Sequence, residues 1–274
     1  MDPAAVEFSQ DQFHAVSQLA HGACGLNLHP GKKELVRARL AARLRELRLA
    51  DVDSYLALLA ADGTGREAAR LMDVLTTNKT SFFREPEHFR FLLQRVVPEL
   101  LVPRRRLRVW SAGCSTGEEA YSLAMVLRAE VGDTADVRIL ATDVSSRVIE
   151  TARTGVYSAE AVRSVPVLLR QQSFRRAGRD PASAWSVRAE VRGLVRFARL
   201  NLMDTWPMRG PFDLICCRNV MIYFDRPTQQ RLVRRFWELL APGGYFFAGH
   251  SESFAALDHE FEYVQPAVYH RAAT

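Results

Sequence analysis

Cysteine is scarce in this chain: four occur among 274 residues, at Cys24, Cys114, Cys216 and Cys217. No two stand in C-x-x-C spacing, and the adjacent pair lies in an apolar run that reads as a buried strand. Neither a disulfide framework nor a zinc site is therefore expected. Long apolar stretches are also missing. No segment approaches the roughly 18 uninterrupted apolar residues that a membrane-crossing helix needs. The start, MDPAAVEFSQDQF, carries acidic residues where a secretory leader has an apolar core. The expectation is a soluble, cytoplasmic protein with no inserted segment. Internal repeats and low-complexity tracts are absent too. What is present is ordinary globular composition, 48% hydrophobic and 25% charged, enough for a packed core. The formal charge of +6 would suit nucleic acid, an acidic protein surface or an anionic membrane, and its sign alone does not choose among them.

Two textures divide the chain. Residues 11 to 75 read as helices, with apolar residues at helical spacing through Phe13, Val16, Leu19 and Ala20, then Leu35, Val36, Leu40, Leu44 and Leu47. Turn signals at His29-Pro30-Gly31 and Asp62-Gly63-Thr64-Gly65 punctuate them. From about residue 106, short apolar runs alternate with amphipathic helices, the βαβ signature of a parallel sheet covered on both faces. Strands are expected at Leu107–Trp110, Val137–Ala141, Val195–Ala198, Phe212–Cys217 and Gly244–Gly249, and helices at 118–130, 145–154 and 228–240. The expected division is a helical domain over 1–75, a linking segment over 76–105 and an α/β domain over 106–274. Within the last, a small antiparallel β insertion is expected at about 158–194, around Phe174, Trp185 and Val191.

The first chemical signal is LRVWSAGCSTGEEAYSLAM, 107 to 125: a strand, a turn with Gly113 and Gly117, and a helix opened by Glu118 and Glu119. Glycine in such a turn lets backbone approach a ligand over the strand's carboxyl end. The next strand ends on Asp143, where doubly wound folds place an acid that accepts both ribose hydroxyls. A dinucleotide would want its pyrophosphate at the helix N-terminus, and two carboxylates there repel phosphate while suiting a cation. S-adenosylmethionine combines a ribose, an amino group and a sulfonium with no phosphate. The constellation favours it over a nicotinamide cofactor.

The strings TTNKTSFFREPEHF (76–89), WSAGCSTGEEAYSLAM, ATDVSSRVIETARTGVY, NLMD, FDLICCRNVMIYFD and LLAPGGYFFAGHSES, in this order, closely resemble the CheR family of chemotaxis receptor methyltransferases. The resemblance runs from about residue 10 to 270 and includes the helical stretch GLNLHPGKKELVRARLAARLRELRLADVDSYLALL. It implies an all-helical amino-terminal domain on a class I methyltransferase domain with a Rossmann-like doubly wound sheet and a three-stranded β insertion. It places cofactor positions on Asn78, Thr80, Arg84, Glu118, Asp143, Asn201, Leu202, Arg218 and Asn219, beside Gly113 from the glycine turn. Glu118 would pair with the cofactor's amino group, and Asn201 with the Leu202 backbone would read the adenine edge. Arg84 and Tyr223 are the candidate catalytic residues, Arg84 as the cation able to steer a carboxylate. His250 and Ser251 read as structural, and no metal is expected.

The reaction implied is methyl transfer from S-adenosylmethionine to glutamate carboxylates of the receptors' cytoplasmic signalling domains. It leaves glutamyl methyl esters and S-adenosylhomocysteine, and is carried out by a monomer recruited to membrane receptor arrays. A nucleic-acid amino-group methyltransferase would carry an N/D-P-P-Y/F motif where this chain has Arg218-Asn219-Val220-Met221, so no nucleic-acid partner is expected. A non-catalytic, cofactor-binding scaffold that docks on receptors is the other alternative. On the helix at 32–48, Leu40, Leu44 and Leu47 form a stripe with Arg37, Arg45 and Arg48 to one side and Arg39 and Arg43 to the other, a basic face suited to an acidic partner. The insertion sequence QQSFRRAGRDPASAWSVRAEVRGLVRF follows the family only loosely, so a receptor-tail role is not carried onto it.

Overall fold

The computed structural model describes residues 7–76, 78–176, 178 and 184–273. The first six positions of the expected helical domain, Thr77, and residues 177 and 179–183 of the expected insertion lie outside the described residues.

Four helices come first: α1 (Gln10–Cys24), α2 (Lys33–Leu47), α3 (Val52–Ala61) and α4 (Arg66–Leu75). Their ends are set locally. Ser9 Oγ accepts from the Gln12 N–H while Gln12 Oε1 accepts from the Ser9 N–H, a reciprocal cap that satisfies donors the first turn leaves open. Asp51 caps α3 through the Ser54 N–H. At the other end of α1, Gly25 adopts φ 74° and sends its N–H back to the His21 carbonyl. The apolar stripes of α1 (Phe13, Val16, Ala20) and α2 (Leu40, Leu44) close on one another and on Tyr55 and Leu71.

The expected outer placement of Arg39 and Arg43 on α2 is corrected. Arg43 is only 9% exposed and forks onto Glu67 on α4, with Nε 2.9 Å and Nη2 2.5 Å from its carboxylate oxygens. The Tyr55 hydroxyl donates to the same carboxylate at 2.8 Å. Arg39 donates to the Leu75 and Thr76 carbonyls at the end of α4. Contact with α4 decides which arginines face solvent, and that contact is invisible in the period of one helix. Arg37, Arg45 and Arg48 remain half-buried to exposed.

A helical run joins this bundle to the sheet: α5 (Pro86–Phe91), a wide-turned π segment (Leu92–Leu101) and α6 (Val102–Arg104). Phe89, Leu92, Val96 and Leu100 in that run belong to the sheet's core, so much of the 76–105 stretch packs as part of the α/β layer. Next come β1 (Arg106–Ala112), α7 (Glu118–Val131), β2 (Asp136–Asp143) and α8 (Ser146–Thr154). The insertion contains β3 (Val156–Tyr157), α9 (Val167–Ser173), β4 (Phe174–Arg176), β5 (Trp185–Val187) and α10 (Ala189–Arg192). The chain then returns through β6 (Val195–Arg199), β7 (Phe212–Cys217), α11 (Arg226–Leu239), β8 (Leu240–Ala248), β9 (Glu262–Gln265) and β10 (Val268–His270).

The large sheet has the order β6-β2-β1-β7-β8-β10-β9, parallel from β6 to β8 and antiparallel at β10 and β9. The insertion forms the separate antiparallel sheet β3-β5-β4. It opens at Val156, slightly ahead of the expected 158, and Val191 falls in α10 where strand rhythm was expected. The strand expected from Gly244 begins at Leu240, and the short strands β9 and β10 carry too few residues for alternation to reveal them. Along β1, Leu107 and Val109 enter the core under α7 while Trp110 and Ala112 enter the core under α11, the two-residue alternation of a strand covered on both faces. The order reverses between β1 and β7, which opens a crevice at their carboxyl ends. Among the described residues no helix is long and apolar enough to cross a membrane.

The α2–α4 pairing supports a stability prediction. Burial pushes the Glu67 carboxyl up, but hydrogen bonds from Arg43 and Tyr55 outweigh it and hold the group below the usual carboxylate range. A carboxylate lowered on folding contributes fully above its unfolded pKa, about 4.3 for glutamate, and loses that contribution as pH falls through its folded value. Glu67→Ala leaves Arg43 buried without its main partner and should cost about 3 kcal/mol at neutral pH. The gap to the parent protein should narrow below about pH 4, read by denaturant unfolding at stepped pH.

Candidate functional site

The crevice is a cavity walled by the carboxyl ends of β1, β2, β6 and β7, by Thr76, Asn78, Lys79, Thr80 and Arg84, and by the end of α1. At β1, Gly113 takes φ 83°, and its N–H and that of Cys114 both donate to the Thr142 carbonyl at 2.8 and 2.9 Å. A Cβ at Gly113 would stand 2.3 Å from Val220 Cγ2, so only glycine fits between the two loops. Ser115, at φ 49°, donates its N–H to Asp143 Oδ2 at 2.9 Å and its hydroxyl to the Asn78 carbonyl at 2.9 Å. The glycine turn thus fixes both the acid at the end of β2 and the segment that crosses above it.

Asp143 is 8% exposed. Its Oδ1 accepts from the Ser145 N–H at 3.0 Å, and Ser145 Oγ in turn caps α8 through the Val148 N–H. Burial raises the Asp143 pKa and the backbone donors only partly offset it. Two of roughly four acceptor sites on the carboxylate are used, which leaves capacity for a pair of hydroxyl donors. Beside it the wall is apolar: Leu26, Val144, Leu200, Leu202 and Val220 all line the cavity. Cys24 joins them, its thiol pushed up to about 11 by burial, so it serves as wall and not as nucleophile.

Of the residues expected from the sequence, Asn78, Thr80, Arg84, Gly113, Asp143, Asn201, Leu202, Arg218, Asn219 and Tyr223 all line this cavity. Glu118 does not. Its Oε2 accepts from the Thr116 hydroxyl at 2.7 Å, and burial raises its pKa. Its neighbour Glu119 lines the wall instead.

Arg218 and Arg84 differ sharply in environment. Arg218 is 7% exposed, with Nη2 2.9 Å from Glu85 and Nη1 2.9 Å from Glu119, and it also donates to the Arg84 carbonyl. Two carboxylates therefore neutralise it. Burial pushes Glu85 up, but the Arg218 guanidinium and the Asn219 amide that donate to it hold it below the usual carboxylate range. Arg84 is exposed at the cavity mouth and donates Nη1 to the Lys79 carbonyl at 3.2 Å. Among the described residues neither Arg84 nor Lys79, which also lines the cavity, joins an ion pair. Among the described residues Arg84 does not pair with its neighbours Glu85 or Glu87, since Arg218 takes Glu85 and Arg90 takes Glu87.

Sequence reading missed the scaffold of the β7 loop. Asn219 sits at φ 59° and donates its N–H to Glu252 Oε2 at 2.8 Å, while Gly249 and Ile222 donate to the same carboxylate at 2.6 and 3.2 Å. Glu252, in the Ser-Glu-Ser string, thereby shapes the turn that carries Asn219 and Tyr223. The amino-terminal bundle contributes as well. Asn201 Nδ2 donates to the Ala23 carbonyl at 2.7 Å and to Asp204 at 3.1 Å, so its side-chain donors are already committed. Leu26 bridges to Phe224 as an isolated antiparallel pair, Asn27 donates to the Tyr223 carbonyl at 2.8 Å, and Lys32 Nζ stands 5.5 Å from the Tyr223 ring.

Comparison with known proteins agrees with this arrangement. The family model described as CheR methyltransferase, SAM binding domain, matches residues 78–270. The model described as CheR methyltransferase, all-alpha domain, matches residues 11–76. Among curated proteins, the chain is 42% identical to the chemotaxis protein methyltransferase of Escherichia coli (strain K12), covering 95% of this chain and 91% of that one. It is 41% identical to the chemotaxis protein methyltransferase of Klebsiella aerogenes, covering 95% and 89%. It is likewise 41% identical to chemotaxis protein methyltransferase 2 of Pseudomonas aeruginosa, covering 96% and 93%.

Proposed function

The chain belongs to the CheR methyltransferase family and is an S-adenosylmethionine-dependent methyltransferase, and from that premise we propose that it esterifies glutamate carboxylates on the cytoplasmic signalling domains of chemotaxis receptors. The observation that carries the choice of an acidic substrate is the charge at the cavity mouth. Arg218 is spent on Glu85 and Glu119, whereas Arg84 and Lys79 keep their charge without a carboxylate partner among the described residues. A cavity with acids deep inside and cations at the rim suits a cationic cofactor and an anionic acceptor. The names of the relatives supply the receptor context.

The residues fit the cofactor. Asp143 has acceptor capacity for two ribose hydroxyls, the apolar wall around Leu202 suits a purine, and the Glu119 carboxylate in the wall at the start of α7, with Glu118 behind it, suits a cation and repels phosphate. Because Asn201 spends both side-chain donors on Ala23 and Asp204, its remaining side-chain role toward an adenine is as an acceptor. When bound, S-adenosylmethionine supplies an electrophilic methyl group on a positively charged sulfur. A receptor carboxylate oxygen forms the new O–C bond as the C–S bond breaks, its electron pair passing to sulfur, so the products are a methyl ester and S-adenosylhomocysteine. A glutamate is ionised at neutral pH, with an unperturbed pKa of about 4.3, and needs no general base. The chain's contribution is alignment and exclusion of water, which supplies up to about 7 to 11 kcal/mol in ideal cases. Arg84 steers the carboxylate without a fixed bidentate pair that would blunt its nucleophilicity, and Tyr223 closes the site against the amino-terminal bundle. The bundle's basic face (Arg37, Arg45, Arg48) meets the glutamate-rich receptor helices, and Lys32 at its near end stands beside Tyr223. The enzyme works as a cytoplasmic monomer brought to receptor arrays by these contacts.

Incubation with methyl-labelled S-adenosylmethionine and receptor signalling domains should give protein-bound methyl that leaves as methanol in mild base. Base-stable label would point to amine methylation and sink the proposal. Asp143→Ala should weaken cofactor binding by about 2 to 4 kcal/mol by calorimetry, whereas Arg84→Ala should keep most of the affinity and lose most of the turnover. An Arg84→Ala enzyme with parental turnover at saturating cofactor would remove that residue from the substrate step. Reversing Arg37, Arg45 and Arg48 to glutamate should slow receptor methylation at low salt, leave cofactor affinity intact, and approach the parent rate as salt shortens the screening length to below about 8 Å.

A further inference from the structure

Beside the cofactor cavity, but not lining it, Glu85, His88 and His250 bring one ligand atom each into a group whose members lie within 4.8 Å of one another. Glu85 and His88 flank the first turn of α5, and His250 follows β8. His250 has no sequence neighbour that could complete such a set; the fold supplies one by packing α5 against the end of β8, with the His88 ring stacked on Phe247 at 4.8 Å and 5.3 Å from the His250 ring.

The decisive detail is His88. It is 2% exposed, and its Nε2 lies 3.3 Å from the Ala267 carbonyl, a group that can only accept. That contact makes Nε2 the donor, which in the neutral ring leaves Nδ1 with a lone pair. Nδ1 is buried, has no hydrogen-bond partner, and stands 3.4 Å from Glu85 Oε2, outside hydrogen-bond geometry. In the neutral ring, Nδ1 and Glu85 Oε2 face each other as two electron-rich atoms, and the positive group that Oε2 already has, Arg218 at 2.9 Å, lies on the carboxylate and not between the pair. A backbone carbonyl holding the far nitrogen of a histidine is also the usual outer-shell support of a metal-bound imidazole.

We infer that Glu85, His88 Nδ1 and His250 form a site for a divalent transition-metal ion of the Zn2+ type. Two imidazoles and one carboxylate suit zinc and its neighbours and not Mg2+ or Ca2+, which take oxygen ligands. Ligands about 2.0 to 2.1 Å from a tetrahedral ion stand roughly 3.4 Å apart. The Glu85–His88 separation already has that value, and His250, exposed, is free to close the remainder. Glu85 and Glu119 together hold one more negative charge than Arg218 cancels, which offsets half the charge of a divalent ion. Binding draws on the carboxylate that helps to neutralise Arg218, so the ion is coupled to the wall of the cofactor cavity.

The test is calorimetric titration of the full chain, freed of metal by chelation, with Zn2+ and with Mg2+, alongside His250→Ala and the remote exposed-histidine control His14→Ala. The expected result is one Zn2+ per chain, no Mg2+ binding, affinity lower by about tenfold or more in His250→Ala, and parental affinity in His14→Ala. Substitution by Co2+ should give visible bands without a thiolate charge-transfer band. Absence of stoichiometric Zn2+ binding would overturn the site and leave a proton on His88 Nδ1 as what separates it from Glu85. Unchanged affinity in His250→Ala, or a cobalt–thiolate band, would overturn it equally, placing the ion on other histidines or on the cysteines.

Discussion

A guanidinium almost wholly out of water must be matched charge for charge, and Arg218 meets that demand with Glu85 from the entry to α5 and Glu119 from the first turn of α7. Three segments far apart in sequence are thereby held at fixed spacing around the end of β7. Removing any one partner would leave an uncompensated buried charge, which costs several kcal/mol, so the trio is conditionally strong even if the intact pair adds little net stability. Its consequence for chemistry is a division of labour. By consuming Arg218 internally, the fold leaves Arg84 at the rim outside any ion pair among the described residues.

The backbone around this trio is held in conformations that side chains seldom adopt. Phe83, Glu85, Ser115 and Asn219 all lie at positive φ without being glycine, and each borders the cavity or the Arg218 network. Such residues persist only where surrounding bonds over-determine them. Here the bonds are explicit: Asp143 on the Ser115 amide, Glu252 on the Asn219 amide, and Arg218 on both sides of Glu85. The cavity is rigid because its hydrogen bonds run between loops, and this suits a reaction that depends on alignment more than on proton transfer.

What the sequence disclosed follows from what is local. Gly113 and Asp143 were legible because a tight turn and a strand-terminal acid are short-range signals, and the five parallel strands because their apolar runs are nearly continuous. Asn78, Thr80 and Arg84 came only through resemblance to a family, since a neutral N-x-T string in a loop has no chemical signature of its own. Glu252 and the wall residues Cys24 and Leu26 escaped because their roles are created by partners across the fold. Arg43 misled for the same reason: helical period describes one helix, and its burial is decided by Glu67 on another.

The seam between the bundle and the α/β layer has a bearing on how the molecule folds. His21 meets Asp225 across 204 residues and Ala23 meets Asn201 across 178, both at the edge of the cavity. Contacts of such sequence separation carry a large loop-closure entropy and are disfavoured in an early nucleus. During synthesis the last turn of α1, with Cys24 and Leu26 uncovered, waits until most of the chain has emerged before β7 and the loop after it arrive to cover it. The cofactor cavity is accordingly among the last features to form. Catalytic competence therefore reports that the whole chain, not one domain of it, has reached its native state.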